Sequence, residues 1–210
     1  MDEITEFLTE PSRLAFALEL SEKLEAVKIG LLAAFWQNVY AALERHESVK
    51  SRTDWTLFRY GPVDSRDATI GIALTSDWER GKCPGMLMRP ALLIQYLAYQ
   101  QYEAYLGVHR GSRPRSGTVE LDEESSIREY LSSVGISRQD GPWIAWQHLG
   151  TVCPTSVSLV DQEALCRIND DNRDSAHPIA AETARFFCTV FDDVRDRLES
   201  SRAALASQRR

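Results

Sequence analysis

From Leu20 to Arg45 apolar side chains recur at helical spacing, with Leu24, Val27, Leu31, Phe35, Val39 and Leu43 on one face and Ile29, Leu32, Trp36 and Tyr40 beside it. This pattern predicts a core helix that is apolar over more than half its circumference. Leu14, Leu18 and Leu20 begin it after the Pro11-Ser12 break, which closes a short acidic helix predicted over Asp2 to Thr9. Gly30 costs the helix about 0.5 to 1 kcal/mol relative to alanine, so another element is expected to approach the backbone there, with a hinge as the alternative.

The period then changes from 3.6 to two. Trp55 to Tyr60 and Ala68 to Thr75 alternate as strands do, and Gly61 to Asp67 between them has turn composition, so the two read as antiparallel neighbours. Asp77 to Pro90 is loop-like. The segment Ala91 to Arg110 fits a helix in its first half and a strand in its second, and it is read as two antiparallel strands joined near Gln100-Gln101. Asp122 to Val134 has an acidic first turn, an apolar face of Ile127, Tyr130, Leu131 and Val134, and a Gly135 stop, which together specify a helix. Trp143 to Leu149 is read as a strand, with Trp143 and Trp146 on opposite faces. A short helix over Ser158 to Ile168 and a polar connection over Asn169 to His177 precede a long helix from Pro178 to about Ala206, striped with Phe186, Phe187, Val190, Phe191, Val194 and Leu198. The expected fold is therefore α+β, an antiparallel sheet of about four to five strands flanked by long N-terminal and C-terminal amphipathic helices. Residues 1–19 form an N-terminal helical segment, 20–200 one domain and 201–210 a frayed basic tail.

Composition narrows the function. The 210 residues are 43% hydrophobic and 26% charged, ordinary for a folded domain. Acidic residues outnumber basic ones 31 to 24, a formal charge of −7, so attraction to a phosphate backbone has to come from a local patch. His109, Arg110, Arg113 and Arg115 make the one dense basic cluster before the C-terminus, on a loop of Gly-Ser-Arg-Pro composition, and are the candidate nucleic-acid contacts. No leader and no run of about 18 apolar residues is expected, which places the chain in the cytoplasm with reduced thiols and away from membranes.

Candidate chemistry is sparse. Cys83, Cys153, Cys166 and Cys188 lack CxxC spacing, and His46, His109, His148 and His177 do not complete a zinc pattern, so no metal or cofactor is expected. Asp170, Asp171, Asn172 and Asp174 resemble a cation loop in composition but lack its glycine and distal glutamate, which favours a helix connection. Cys83-Pro84 and Cys153-Pro154 offer loop thiols, with His109 or His148 as conceivable bases. Acidic Asp122-Glu123-Glu124 and Asp192-Asp193 read as solvated helix faces. Trp55, Trp143 and Trp146 are the candidate anchors for another protein.

The helix running through Leu31-Leu32-Ala33-Ala34-Phe35-Trp36, the strands at Trp55 and Ile70, the Tyr105-Leu106-Gly107-Val108 run, the Trp143-Ile144 strand and the closing helix resemble the C-terminal region of bacterial restriction-like nucleases of the PD-(D/E)XK superfamily. In that superfamily acidic residues and a lysine hold a divalent metal in a separate N-terminal domain. The positions two before the four lysines are Ser21, Ala26, Ser48 and Arg80, so no catalytic residue carries over. The resemblance implies a non-catalytic, protein-binding accessory subunit of an anti-phage or restriction-like system, partnered by a nuclease or another defence subunit. The alternatives are an acidic inhibitor encoded by a phage or mobile element, and a nucleic-acid module using the basic loop.

Overall fold

The computed structural model describes residues 10–51, 56–60, 69–75, 91–97, 103–109, 122–141, 143–155 and 162–208. The α+β expectation holds. Helix α1 (Pro11–Arg45) and the four-residue α2 (Glu47–Lys50) precede strands β1 (Thr56–Tyr60), β2 (Thr69–Thr75), β3 (Ala91–Leu97) and β4 (Glu103–His109). Helix α3 (Asp122–Ser133), strand β5 (Trp143–His148), the short α4 (Leu149–Val152), α5 (Gln162–Arg173) and α6 (Pro178–Gln208) complete the order. The sheet is antiparallel, with Tyr105 of β4 opposite His148 of β5.

One buried cluster joins the layers. Phe35, Val39 and Leu43 of α1 share it with Phe187, Val190 and Phe191 of α6, while Leu106 and Val108 of β4 and Ala145 of β5 close it from the sheet side. Ile127 and Leu131 of α3 and Ile168 of α5 fill the remainder. The predicted apolar faces of α3 and α6 are thus the buried ones, as helical periodicity requires when a stripe meets a core. Gly135, at φ 86°, stops the chain after α3 in the left-handed region that glycine enters without steric cost.

Helix α1 departs from expectation along its first half. Leu32, Phe35, Trp36, Val39 and Leu43 are buried, but Leu14, Phe16, Leu18, Leu20, Leu24 and Val27 are exposed. The stripe read as continuous core is therefore core only from about Leu31 onward. Among the described residues no atom lies within 4 Å of a side chain built on Gly30, so none of them makes the close approach foreseen there. By length and composition α1 is apolar enough to cross a membrane. Its C-terminal half nonetheless supplies the centre of the domain core.

The connection between α5 and α6 also differs. Asn169 to Arg173, expected as loop, continue α5. Buried Asp171 turns its carboxylate onto the start of α6, accepting from Ile179 N at 2.6 Å and Ala180 N at 3.3 Å. It satisfies donors that every helix start leaves open, and its negative charge meets the positive end of the helix. His177, at φ 42°, turns the chain between the helices, its Nδ1 donating to the Asp171 carbonyl oxygen at 2.8 Å. Asn38 of α1 donates to Asn172 at 3.1 Å, and Asn172 in turn donates to the Leu31 carbonyl at 2.9 Å. The apparent cation loop is a polar joint that locks α5 and α6 onto α1. Ser201 to Gln208, expected to fray, remain helical at the end of α6.

Replacing Asp171 by alanine leaves two buried backbone donors of α6 without their acceptor and should lower unfolding stability by about 1 to 3 kcal/mol. Urea denaturation of the variant checks this, and Asp171→Asn, which keeps one acceptor oxygen, should recover part of the loss.

Candidate functional site: an aromatic face on the sheet

Strands β4 and β5 have one face on the core and one away from it. On β4, Ala104, Leu106 and Val108 point into the core, leaving Tyr105, Gly107 and His109 on the other side. On β5 simple alternation would separate Trp143 from Trp146, but the register shifts: Val108 lies opposite Ala145, whereas His109 lies opposite Trp143. Ile144 is the extra residue of a β-bulge and is itself buried in the core. The bulge corrects the expectation of opposite faces. It brings both tryptophans to the outer face.

The rings there are in contact. Tyr105 meets Trp146 edge-on at 4.9 Å between centroids and lies 5.0 Å from His148, while Trp146 and His148 are 5.5 Å apart. Trp143 meets His109 edge-on at 5.5 Å. These are the offset geometries that aromatic quadrupoles favour. Trp146 is also held from outside the pair of strands: its Nε1 donates to Asp140 at 2.8 Å, and the Arg138 guanidinium lies 5.2 Å above its ring. Arg138 and Trp146 exchange both backbone hydrogen bonds, at 3.0 and 2.8 Å. Trp143, Trp146, Tyr105 and His148 are half-buried, so each keeps part of its ring surface open.

Gly107 permits this packing. A β-carbon there would lie 2.5 Å from the Ala145 carbonyl oxygen and 2.7 Å from the Trp146 β-carbon. Glycine is required by close cross-strand approach, a signal visible in the sequence only as a glycine within an alternating run.

The other candidates are distributed differently. Trp55, Arg110, Arg113, Arg115 and Cys83 lie outside the described residues. His109 is only 4% exposed, its ring committed to Trp143 rather than to a basic surface. Buried Cys153 sits 3.0 Å from the Thr155 hydroxyl and 4.0 Å from that of Thr183, so its nearest polar neighbours are hydroxyls. Burial, then the neighbouring Asp192 carboxylate, push the Cys188 thiol up to about 12. Cys166 is exposed. Among the described residues no group of three or more His, Cys, Asp or Glu side chains is placed to hold a metal.

The acidic pair on α6 is engaged rather than freely solvated. Asp192 accepts from Ser48 Oγ and from buried Arg195 at 2.6 Å, and Arg195 also reaches Asp196 at 2.7 Å. Asp193 accepts from the Tyr130 hydroxyl at 2.7 Å, and burial followed by that hydrogen bond raises the phenol above its ordinary range. An open dent of about 290 Å³ lies beside them, lined by Ser126, Asp193, Asp196, Arg197 and Ser200. Its charges are of both signs, with Arg197 stacked 4.9 Å over the Tyr130 ring.

No family model, curated protein or solved structure matches the chain.

Gly107→Ala should cost about 1 to 3 kcal/mol in urea unfolding, because the added methyl overpacks backbone that cannot retreat. The thiols give a second check. Cys166 should react with an aromatic disulfide reagent in the native state, while Cys153 and Cys188 react on unfolding, as read by mass mapping. Folded Cys188 keeps its proton up to about 12, whereas the ordinary thiol ionises near 9.0. Its contribution to stability is therefore complete below pH 9 and lost as pH rises toward 12, and Cys188→Ala should flatten that part of the stability profile.

Proposed function

We propose that the protein is a non-catalytic, protein-binding accessory subunit and that it holds its partner on the outer face of β4 and β5. The observation that carries this reading is the bulge at Ile144, which gathers Trp143 and Trp146 beside Tyr105 and His148 on one half-open surface. Aromatic side chains dominate binding energy at protein interfaces because a large apolar area is combined with few rotatable bonds. Here most of the ordering cost is met before binding, since Trp146 is already fixed by Asp140, Arg138 and Tyr105.

The same reading takes the strands as a continuous five-stranded antiparallel meander, in the order β1-β2-β3-β4-β5, which puts the aromatic face at the end of the sheet nearest α3. The likeness of the chain to the C-terminal regions of restriction-like nucleases makes a nuclease or another subunit of a bacterial defence assembly the partner to seek first, in the cytoplasm.

The test is affinity capture of the tagged chain from its own host, with mass spectrometry and nucleic-acid absorbance of the eluate. A stoichiometric protein should be retained by the wild type and weakened at least about tenfold by Trp146→Ala, with a smaller loss for Trp143→Ala. Capture that is indifferent to both substitutions, in variants that keep their near-ultraviolet spectrum, removes this face from the function.

A further inference from the structure

The aromatic face on β4 and β5 carries a positioned charge that points to the chemistry of its partner. Arg138 is exposed, and its guanidinium lies 5.2 Å above the Trp146 ring. Its backbone holds it there: Arg138 N donates to the Trp146 carbonyl at 3.0 Å, and Trp146 N donates back at 2.8 Å. A cation over a ring uses its charge against the π face and consumes none of the five N–H donors of the guanidinium. Among the described residues no carboxylate forms an ion pair with Arg138. Asp140, the acid nearest to it in the chain, accepts instead from Trp146 Nε1 at 2.8 Å. Arg195, by contrast, is held by both Asp192 and Asp196.

The backbone around these rings limits how a partner can engage. Trp146 spends its amide and carbonyl on Arg138, the Trp143 amide donates to the Asp140 carbonyl at 3.1 Å, and the His148 amide donates to Gln147 Oε1 at 3.0 Å. A partner at this end of the sheet therefore meets side chains and not an open strand edge. It meets half-open rings, which call for apolar cover, and beside them a guanidinium with donors to spare. The charge balance selects the anion. Asp140 already stands on the indole, the whole chain carries a formal −7, and the described site supplies one cation for one negative charge. A carboxylate has that single charge and two oxygens that match the guanidinium fork, whereas a phosphate backbone requires several cations.

We propose that the partner presents an aspartate or glutamate to Arg138, flanked by an apolar side chain that covers Trp146 and Trp143. This rests on the reading of the face as a protein-binding surface and adds the chemistry of the segment it takes. The flanking apolar group excludes water from the ion pair and so strengthens it. Because Arg138 is already seated on the ring, little of its rotamer freedom is left to lose on pairing.

A library of displayed random peptides, selected on the tagged full chain, tests this. Peptides retained by the wild type should be enriched in Asp or Glu beside apolar residues, and Trp146→Ala should abolish both preferences. Arg138→Gln should keep the apolar preference and lose the acidic one, and Arg138→Glu should exchange it for Lys or Arg. A selected sequence made as a synthetic peptide should bind Arg138→Gln at least about tenfold more weakly than the wild type. Arg138→Lys should fall between them, since lysine keeps the charge but not the planar fork. An unchanged near-ultraviolet spectrum shows that the Arg138 variants keep the ring packing. Selected peptides that depend on Trp146 but lack the acidic preference, or keep it on Arg138→Gln, overturn the proposal and leave the aromatic face standing. A selection indifferent to Trp146 overturns both. Displacement of the peptide by single-stranded oligothymidylate, or tighter binding when phosphoserine replaces the acid, overturns the carboxylate assignment in favour of phosphate.

Discussion

The rest of the architecture depends on the packing of α1 against α6. Phe35, Val39 and Leu43 from the first helix and Phe187, Val190 and Phe191 from the last form the middle of one buried cluster. Helices separated by most of the chain are thereby held together, and β4, β5, α3 and α5 contribute to the same cluster. The sheet closes the cluster with Leu106, Val108 and Ala145, and α3 and α5 fill its flanks. Because interiors are packed at crystal-like density, a shift of either long helix would be felt at β4 and β5. Polar links tie the neighbouring short elements to this pair: Asn38 of α1 bonds Asn172 of α5, and Ser48 of α2 bonds Asp192 of α6.

Much of this was legible from periodicity. The helices over 122–133 and 178–208 show their buried faces in the spacing of Ile127, Tyr130 and Leu131, and of Phe187, Val190 and Phe191, because a helix that packs on one side must repeat every three or four residues. Periodicity misleads in α1 for a physical reason. It reports that a face is apolar, not what covers it, and so Leu24 and Val27 read like Phe35 and Val39 although only the latter pair meets the core. The extension of α5 through Arg173 was hidden by its polar composition. Asp171 there has a task outside its own helix, and local propensity does not record such long-range roles.

The aromatic face was half legible. Tryptophans on a short strand mark a surface that needs cover, and Trp143 and Trp146 were identifiable on those grounds. Their relative orientation was not, since a three-residue separation puts side chains on opposite faces of a regular strand. A bulge reverses that conclusion, and nothing in Trp143-Ile144-Ala145-Trp146 announces one. Tyr105 and His148 join the cluster through cross-strand register, a property of the paired strands and not of either alone. Gly107 was the local trace of this arrangement, a missing side chain where two strands approach most closely.

The paired backbone bonds between Arg138 and Trp146 have a consequence beyond holding a ring. They occupy amide and carbonyl groups on the side of β5 turned away from β4, groups that would otherwise be a template for another strand. A sheet rich in exposed aromatics and ending in an uncovered strand is a seed for aggregation. Here the chain after α3 folds back at Arg138 to pair with Trp146, so the protein can hold these rings at its surface without offering those backbone groups of β5 to a neighbour.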